Sequence, residues 1–313
     1  MNFKPIIVVS GEPYSIFLEI FFKIKKNKFK RPIIIIASKK LLLNQMKMLK
    51  FNFKVNLIDK KNINYRDLDN KKINVIDVHF KSSKTFDIIS DKSNEYIKEC
   101  FRIAIKLLKT NKYIGMINGP ISKKNFLKEE FLGITEYLAH KTKQKKFAML
   151  IYNKNLSVCP ITTHLPLKDV SKNITKSKII NQAKLIHSFY KKKFKKIPNI
   201  AITGLNPHCE SNYSSSEEKN IIIPSIEYLA KKNIKLDGPF AADTLFMKQA
   251  VKKYDVIIGM YHDQVLTPAK TLFEFKSFNI TLGLPFIRIS PDHGPNTLML
   301  GKNLSNPQSL LEA

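Results

Sequence analysis

The chain has 313 residues, 54 of them Lys or Arg against 25 Asp or Glu, which gives a formal charge of +29, and 43% are hydrophobic. That much apolar matter can bury a large core, so a disordered chain is excluded and two lobes are expected rather than one. The charge does not imply a nucleic-acid partner, because only Arg31, Arg66, Arg102 and Arg288 are arginines, the lysines are spread through the chain, and no nucleic-acid reader motif accompanies them.

Taken in chain order, the first predicted strand is PIIVVS at 5–10, and its apolar run stops at Ser10-Gly11-Glu12-Pro13. No uninterrupted apolar stretch approaches the roughly 18 residues of a spanning helix, so neither a signal peptide nor a membrane partner is expected. Further strands are predicted at 31–38 (RPIIIIAS), 113–118 (YIGMIN), 147–153 (FAMLIYN), 156–162 (LSVCPIT), 197–205 (IPNIAITGL) and 254–261 (YDVIIGMY). Between them lie helical patterns at 93–110, 172–192 and 217–231; the first carries Ile97, Phe101, Ala104, Ile105 and Leu108 on one face. Buried strands followed by crossover helices make the fold class α/β with parallel pairing. Cys100, Cys159 and Cys209 form no CxxC pair and read as free thiols of a reducing cytoplasm.

In open α/β sheets ligands gather beyond the carboxyl ends of the strands. Three histidines stand there: His164 in TTHLPL, His208 in GLNPH and His262 in YHDQ. Each alone reads more simply as a loop or core histidine, but three at equivalent strand ends can converge on one divalent cation such as zinc, cobalt, manganese or iron, with positions left open for substrate. His79, His140 and His187 lack that context and read as structural or exposed, whereas His293 lies in the turn SPDHGPN. Downstream of His262 come Lys270, Asn279 and Arg288, a set suited to an anion; an arginine amid apolar residues in a lysine-rich chain suggests its bidentate fork, the simpler reading being a carboxylate pair at a strand end. Asp243, Asp263 and Glu12 complete the acidic candidates, with Asp263 placed to orient an imidazole. GxGxxG, Walker A and GxSxG patterns are absent, which disfavours a Rossmann dehydrogenase, a P-loop NTPase and an α/β-hydrolase.

The ordered segments GEP, NGPISKKNF, GITEYLA, TTHLPLKDV, GLNPHCE, GPFAADTLF, YHDQVL and NITLGLPFIRISPDHG, from about residue 6 to the C-terminus, resemble the 4-hydroxythreonine-4-phosphate dehydrogenase family of pyridoxal 5'-phosphate biosynthesis. The resemblance implies two α/β/α lobes around a cleft, as in isocitrate and isopropylmalate dehydrogenases: residues 1–118 with 290–313 on the cofactor side, and 119–289 on the metal and dimer side. It implies a homodimer whose metal site is shared between subunits, with His262 as the partner's contribution to His164 and His208. It further implies that Thr135, Lys270, Asn279 and Arg288 bind the phosphorylated substrate. Asp243 and Asp263 are expected to support the metal site, and Glu12, His293, Gly294 and Asn296 to contact NAD or NADP. One divalent metal per site is expected, zinc, magnesium or cobalt. The implied reaction is oxidation of 4-phosphohydroxy-L-threonine with decarboxylation to 3-amino-2-oxopropyl phosphate.

The chain departs from the family at three places. Ile134 replaces a substrate-contacting histidine and can neither donate a hydrogen bond nor carry charge. The normally glycine-rich segment reads GEPYSIFLE at 11–19, with two glycines lost, and DHGPNTLMLGKN lacks the family's second aspartate. These changes keep two alternatives open: a paralogue acting on another phosphorylated four-carbon hydroxy acid, such as a threonate or erythronate phosphate, and a metal- and phosphate-binding module without turnover.

Overall fold

The computed structural model describes residues 3–128, 130–209 and 214–313. Its strands are β1 Ile6–Val9, β2 Ile33–Ala37, β3 Val55–Leu57, β4 Ile73–Asp77, β5 Gly115–Asn118, β6 Ala148–Tyr152, β7 Ser157–Thr162, β8 Ile200–Thr203, β9 Leu236–Phe240, β10 Val256–Tyr261, β11 Phe278–Leu282 and β12 Ile287–Pro291. The chain divides into two compact units, the first running through Phe131 and resuming at Phe286–Ala313, the second spanning Leu132–Pro285.

In the first unit the strand order is β3-β4-β2-β1-β5-β12, and every pairing is parallel. β2 reads IIIIA and all five residues are buried, as a strand covered on both faces requires. Its core gathers Phe17, Ile20 and Phe22 of helix Phe17–Ile24 against Val8, Ile35 and Val75. β12 enters this sheet from the far end of the chain, pairing Arg288 with Met116 of β5, so Arg288 belongs to the first unit. The returning segment is tied down by Glu19, which is buried, accepts from the Ser305 N–H at 2.7 Å and pairs with Lys23 at 2.9 Å.

In the second unit the order is β11-β6-β7-β10-β8-β9, antiparallel from β11 through β7 and parallel from β7 through β9. Val158, Ala201 and Ile257 from its central strands pack with Val265, Leu266 and Ala269 of helix His262–Phe273.

Seven strands fall where the apolar runs place them; β3, β4, β9, β11 and β12 were not expected. Their apolar signal is interrupted by polar residues that find partners only in the fold. Asn74 of β4 is buried, donates to the Ile33 carbonyl at 3.0 Å and accepts from the Asn56 amide at 3.0 Å. β9 contains Pro239, which a sheet tolerates at its edge, where this strand lies. The helix expected at 172–192 is broken: Val170–Asn173 ends, and Lys176–Phe194 restarts behind Thr175, whose hydroxyl accepts from the Lys178 N–H at 3.3 Å. No described helix is long and apolar enough to cross a membrane.

Candidate active site

β7, β10 and β8 are consecutive parallel neighbours in the second unit, so their carboxyl ends open on one edge. His164 follows β7, His262 follows β10, and His208 follows β8 by a short loop. The imidazoles of His164 and His262 face each other within the chain, with ring centroids 5.4 Å apart. Asp263 is exposed and its Oδ1 lies 2.6 Å from His262 Nδ1. A carboxylate on one ring nitrogen fixes the ring and leaves the other nitrogen to a ligand.

His164 is half-buried against the turn that opens helix Ile134–Lys141. A Cβ on Gly133 would lie 3.2 Å from His164 Nδ1 and 3.0 Å from Glu136 Oε2, so a bare backbone is what lets the imidazole approach. His208 is exposed and holds a left-handed backbone, φ 57°, as does Cys209. Among the described residues of one chain, no three His, Cys, Asp or Glu side chains come together as a metal-binding group. The pair the chain assembles by itself is His164 with His262; pairing of His164 with His208, His262 being left to a partner, is not the arrangement seen within the chain.

The other candidates spread over both units. In the second, Thr135 is buried with its hydroxyl 3.3 Å from that of Thr281 on β11, and Asn279 lies two residues earlier on the same strand. Asn279 Oδ1 is buried and accepts no hydrogen bond from the described residues. Lys270 is exposed, two turns along helix His262–Phe273 from His262, and Asp243 is exposed on helix Ala242–Leu245. Ile134 is half-buried at the start of its helix.

In the first unit Arg288 is fully buried and donates from Nε to Asn118 Oδ1 at 2.7 Å. The group that meets this donor is an amide oxygen. Glu12 lies just past β1 on a turn where Gly11 has φ 72° and a Cβ would run into the carbonyls of Gly119 and Pro120. Burial pushes the Glu12 carboxyl up to about 7, offset only in part by the nearby Ser93 hydroxyl and Ser122 backbone, neither of which reaches hydrogen-bonding geometry. His293 Nδ1 lies 2.9 Å from the Gly294 carbonyl, Asn296 is left-handed at φ 47°, and nothing lies within 4 Å of a Cβ built on Gly294.

Sequence reasoning passed over Glu136, Glu218, Gln264 and Asn118. Glu136 Oε1 accepts from the Thr163 hydroxyl at 3.2 Å, and both residues line a cavity of about 270 Å³ with Thr135, Lys145 and Lys178. Glu136, Gln264 and Asn118 lie inside the motifs GITE, YHDQ and NGPISKKNF, whereas Glu218 lies outside every motif quoted above. His79 and His140 are exposed and His187 is half-buried.

A family model described as "Pyridoxal phosphate biosynthetic protein PdxA" matches residues 28–313. The chain belongs to the PdxA family. A 4-hydroxythreonine-4-phosphate dehydrogenase of Sulfurihydrogenibium is 39% identical to it over 98% of this chain and 95% of the relative. Among solved structures, the 4-hydroxythreonine-4-phosphate dehydrogenase of Klebsiella pneumoniae superposes with a TM-score of 0.85 at 27% identity, covering 99% of this chain and 97% of that one. An isocitrate dehydrogenase from Methylococcus capsulatus shares the fold alone, at TM-score 0.51 and 8% identity over 99% of this chain and 83% of its own. Membership in the PdxA family makes the chain an oxidoreductase of pyridoxal phosphate biosynthesis and implies a nicotinamide cofactor and a metal.

The residues fit both groups chemically. Two facing imidazoles, one held by a carboxylate, are donors for a divalent cation. The open backbone at Gly294 leaves room for a cofactor to approach closely.

Proposed function

We propose that the chain oxidises 4-phosphohydroxy-L-threonine with NAD or NADP as hydride acceptor, and that the β-keto acid so formed decarboxylates to 3-amino-2-oxopropyl phosphate. The observation that carries this reading is the His164–His262 pair with Asp263 on the His262 ring. A divalent cation held there, zinc, magnesium or cobalt, supplies Lewis-acid polarisation of the substrate oxygen.

The remaining work falls to the chain. Lys270 supplies a flexible point charge for the phosphate and Arg288 a planar fork already oriented by Asn118. The buried Asn279 carbonyl oxygen, which accepts no hydrogen bond from the described residues, offers an acceptor to a substrate N–H or O–H, and Thr135 adds a hydroxyl. Fixing the phosphate orients the reacting carbon toward the nicotinamide. Asp243 stands as a supporting carboxylate, and Glu12, His293, Gly294 and Asn296 of the first unit serve the cofactor. The third metal ligand, His208, is the one a second copy supplies, which makes the working protein a homodimer. The site acts in the cytoplasm, where the free thiols of Cys100, Cys159 and Cys209 stay reduced.

The test is NAD(P)H absorbance on mixing metal-loaded protein with 4-phosphohydroxy-L-threonine. Turnover with NAD or NADP that falls at least about a hundredfold in His262→Ala is expected, since both polarisation and positioning depend on that ligand. Absence of reduction of either cofactor with zinc, magnesium and cobalt overturns the reading.

A further inference from the structure

His208 and Cys209 both hold left-handed backbone, a conformation that non-glycine residues keep only where their surroundings over-determine it. The loop before them is held from two sides. Glu218, 2% exposed, accepts at Oε1 from the backbone N–H groups of Leu205 at 2.8 Å and Asn206 at 2.9 Å. Its Oε2 accepts from the Asn206 amide and the Ser216 hydroxyl, both at 2.9 Å. Burial acts to raise this carboxyl, yet the donors of Asn206 and Ser216 hold it below the usual range, so it stays an anion. A Cβ on Gly204 would lie 2.9 Å from Glu218 Oε1 and 2.6 Å from Cys209 Sγ, so the loop closes on the carboxylate only because that position is glycine.

The second hold is Gln264, in the first turn of the helix that begins at His262. Its Oε1 accepts from the Met260 N–H at 2.7 Å and the Thr203 hydroxyl at 2.8 Å, and its Nε2 donates to the Gly204 carbonyl at 2.8 Å. One amide thus joins the end of β10, which presents His262, to the end of β8, which presents His208.

We infer that Glu218 and Gln264 are positioning residues that set the geometry of the His208 loop for metal binding. The role rests on the metal reading above. Neither side chain is a ligand: each fixes the backbone from which a ligand projects, and outer partners of this kind commonly carry a 10–100-fold share of metal affinity.

The test is Co²⁺ uptake by the metal-free full-length protein, followed by visible absorption, in wild type, Glu218→Gln and Thr203→Val. Glu218→Gln keeps an acceptor for the two backbone N–H groups but turns a donor toward Asn206 and Ser216. Thr203→Val removes one buried hydroxyl from Gln264 at nearly constant volume, and keeps the test readable should the first variant fail to fold.

The Co²⁺ dissociation constant is expected to rise about 10–100-fold in Glu218→Gln and by a smaller factor in Thr203→Val. The Co²⁺ band positions should shift, while the thermal midpoint of the metal-free protein stays near that of wild type. Unchanged affinity and spectra in the variants that fold, or a loss of affinity that only follows loss of the metal-free fold, overturns the inference. Wild-type protein that takes up no Co²⁺ overturns the metal reading itself and this role with it, and that control separates the two failures.

Discussion

Glu12 is a carboxyl at 1% exposure, and burial raises it from 4.5 to about 7. The folded protein therefore holds its proton more tightly than the unfolded chain does. Below pH 4.5 both states are protonated and the group costs nothing; as pH rises to about 7 the unfolded chain ionises first, and stability falls. At about 1.4 kcal/mol per pH unit, that window amounts to a loss of roughly 3 kcal/mol. Glu12→Gln should remove this slope and stabilise the protein most above pH 7, which urea unfolding at pH 5 and pH 8 measures; parallel pH profiles for variant and wild type would refute it. Glu218 behaves oppositely. Its carboxyl is depressed, so its contribution is present above the ordinary carboxylate range and is lost as pH falls through the lowered value.

At the scale of elements, Gly133 shows how a helix start is shaped by a residue outside it. Its backbone is extended, φ −165°, which any residue adopts, so the demand for glycine comes from contact with His164 and Glu136 and not from strain. Gly133→Ala should push the imidazole aside and weaken Co²⁺ binding about tenfold with little change in thermal midpoint; a titration with unchanged affinity would show that His164 yields freely. Elements were legible where one physical signal dominated. β2 is a run of isoleucines, and helix Asn94–Leu108 lies within the expected 93–110 because its apolar face repeats at helical spacing. β4 and β12 were illegible because Asn74 and Arg288, which break their apolar pattern, meet hydrogen-bond partners far off in sequence, Ile33 and Asn56 for the one and Asn118 for the other.

At the scale of the whole molecule, the proposed sharing of the metal site has a direct consequence. One chain brings His164 and His262 together while His208 stands on its exposed surface. If a second copy supplies His208, then His164→Ala and His208→Ala are each inactive alone, yet a mixed dimer rebuilds one intact site. Equal amounts, allowed to exchange subunits, should recover about a quarter of wild-type turnover. Recovery of none would place His164 and His208 in the same chain.

The strand-end histidines could be found from sequence alone because an apolar run announces a strand, and the residues after it occupy the carboxyl edge whatever the rest of the chain does. The ordered motifs likewise determined the family, since their residue types and succession do not depend on knowing the fold. What the sequence left open is which side chains meet. Only the tertiary structure decided that His164 faces His262, that Arg288 is oriented by Asn118, and that Glu218 and Gln264 hold the loop of His208. Those pairings join residues far apart along the chain, and they follow from strand order and register, which local propensity does not encode.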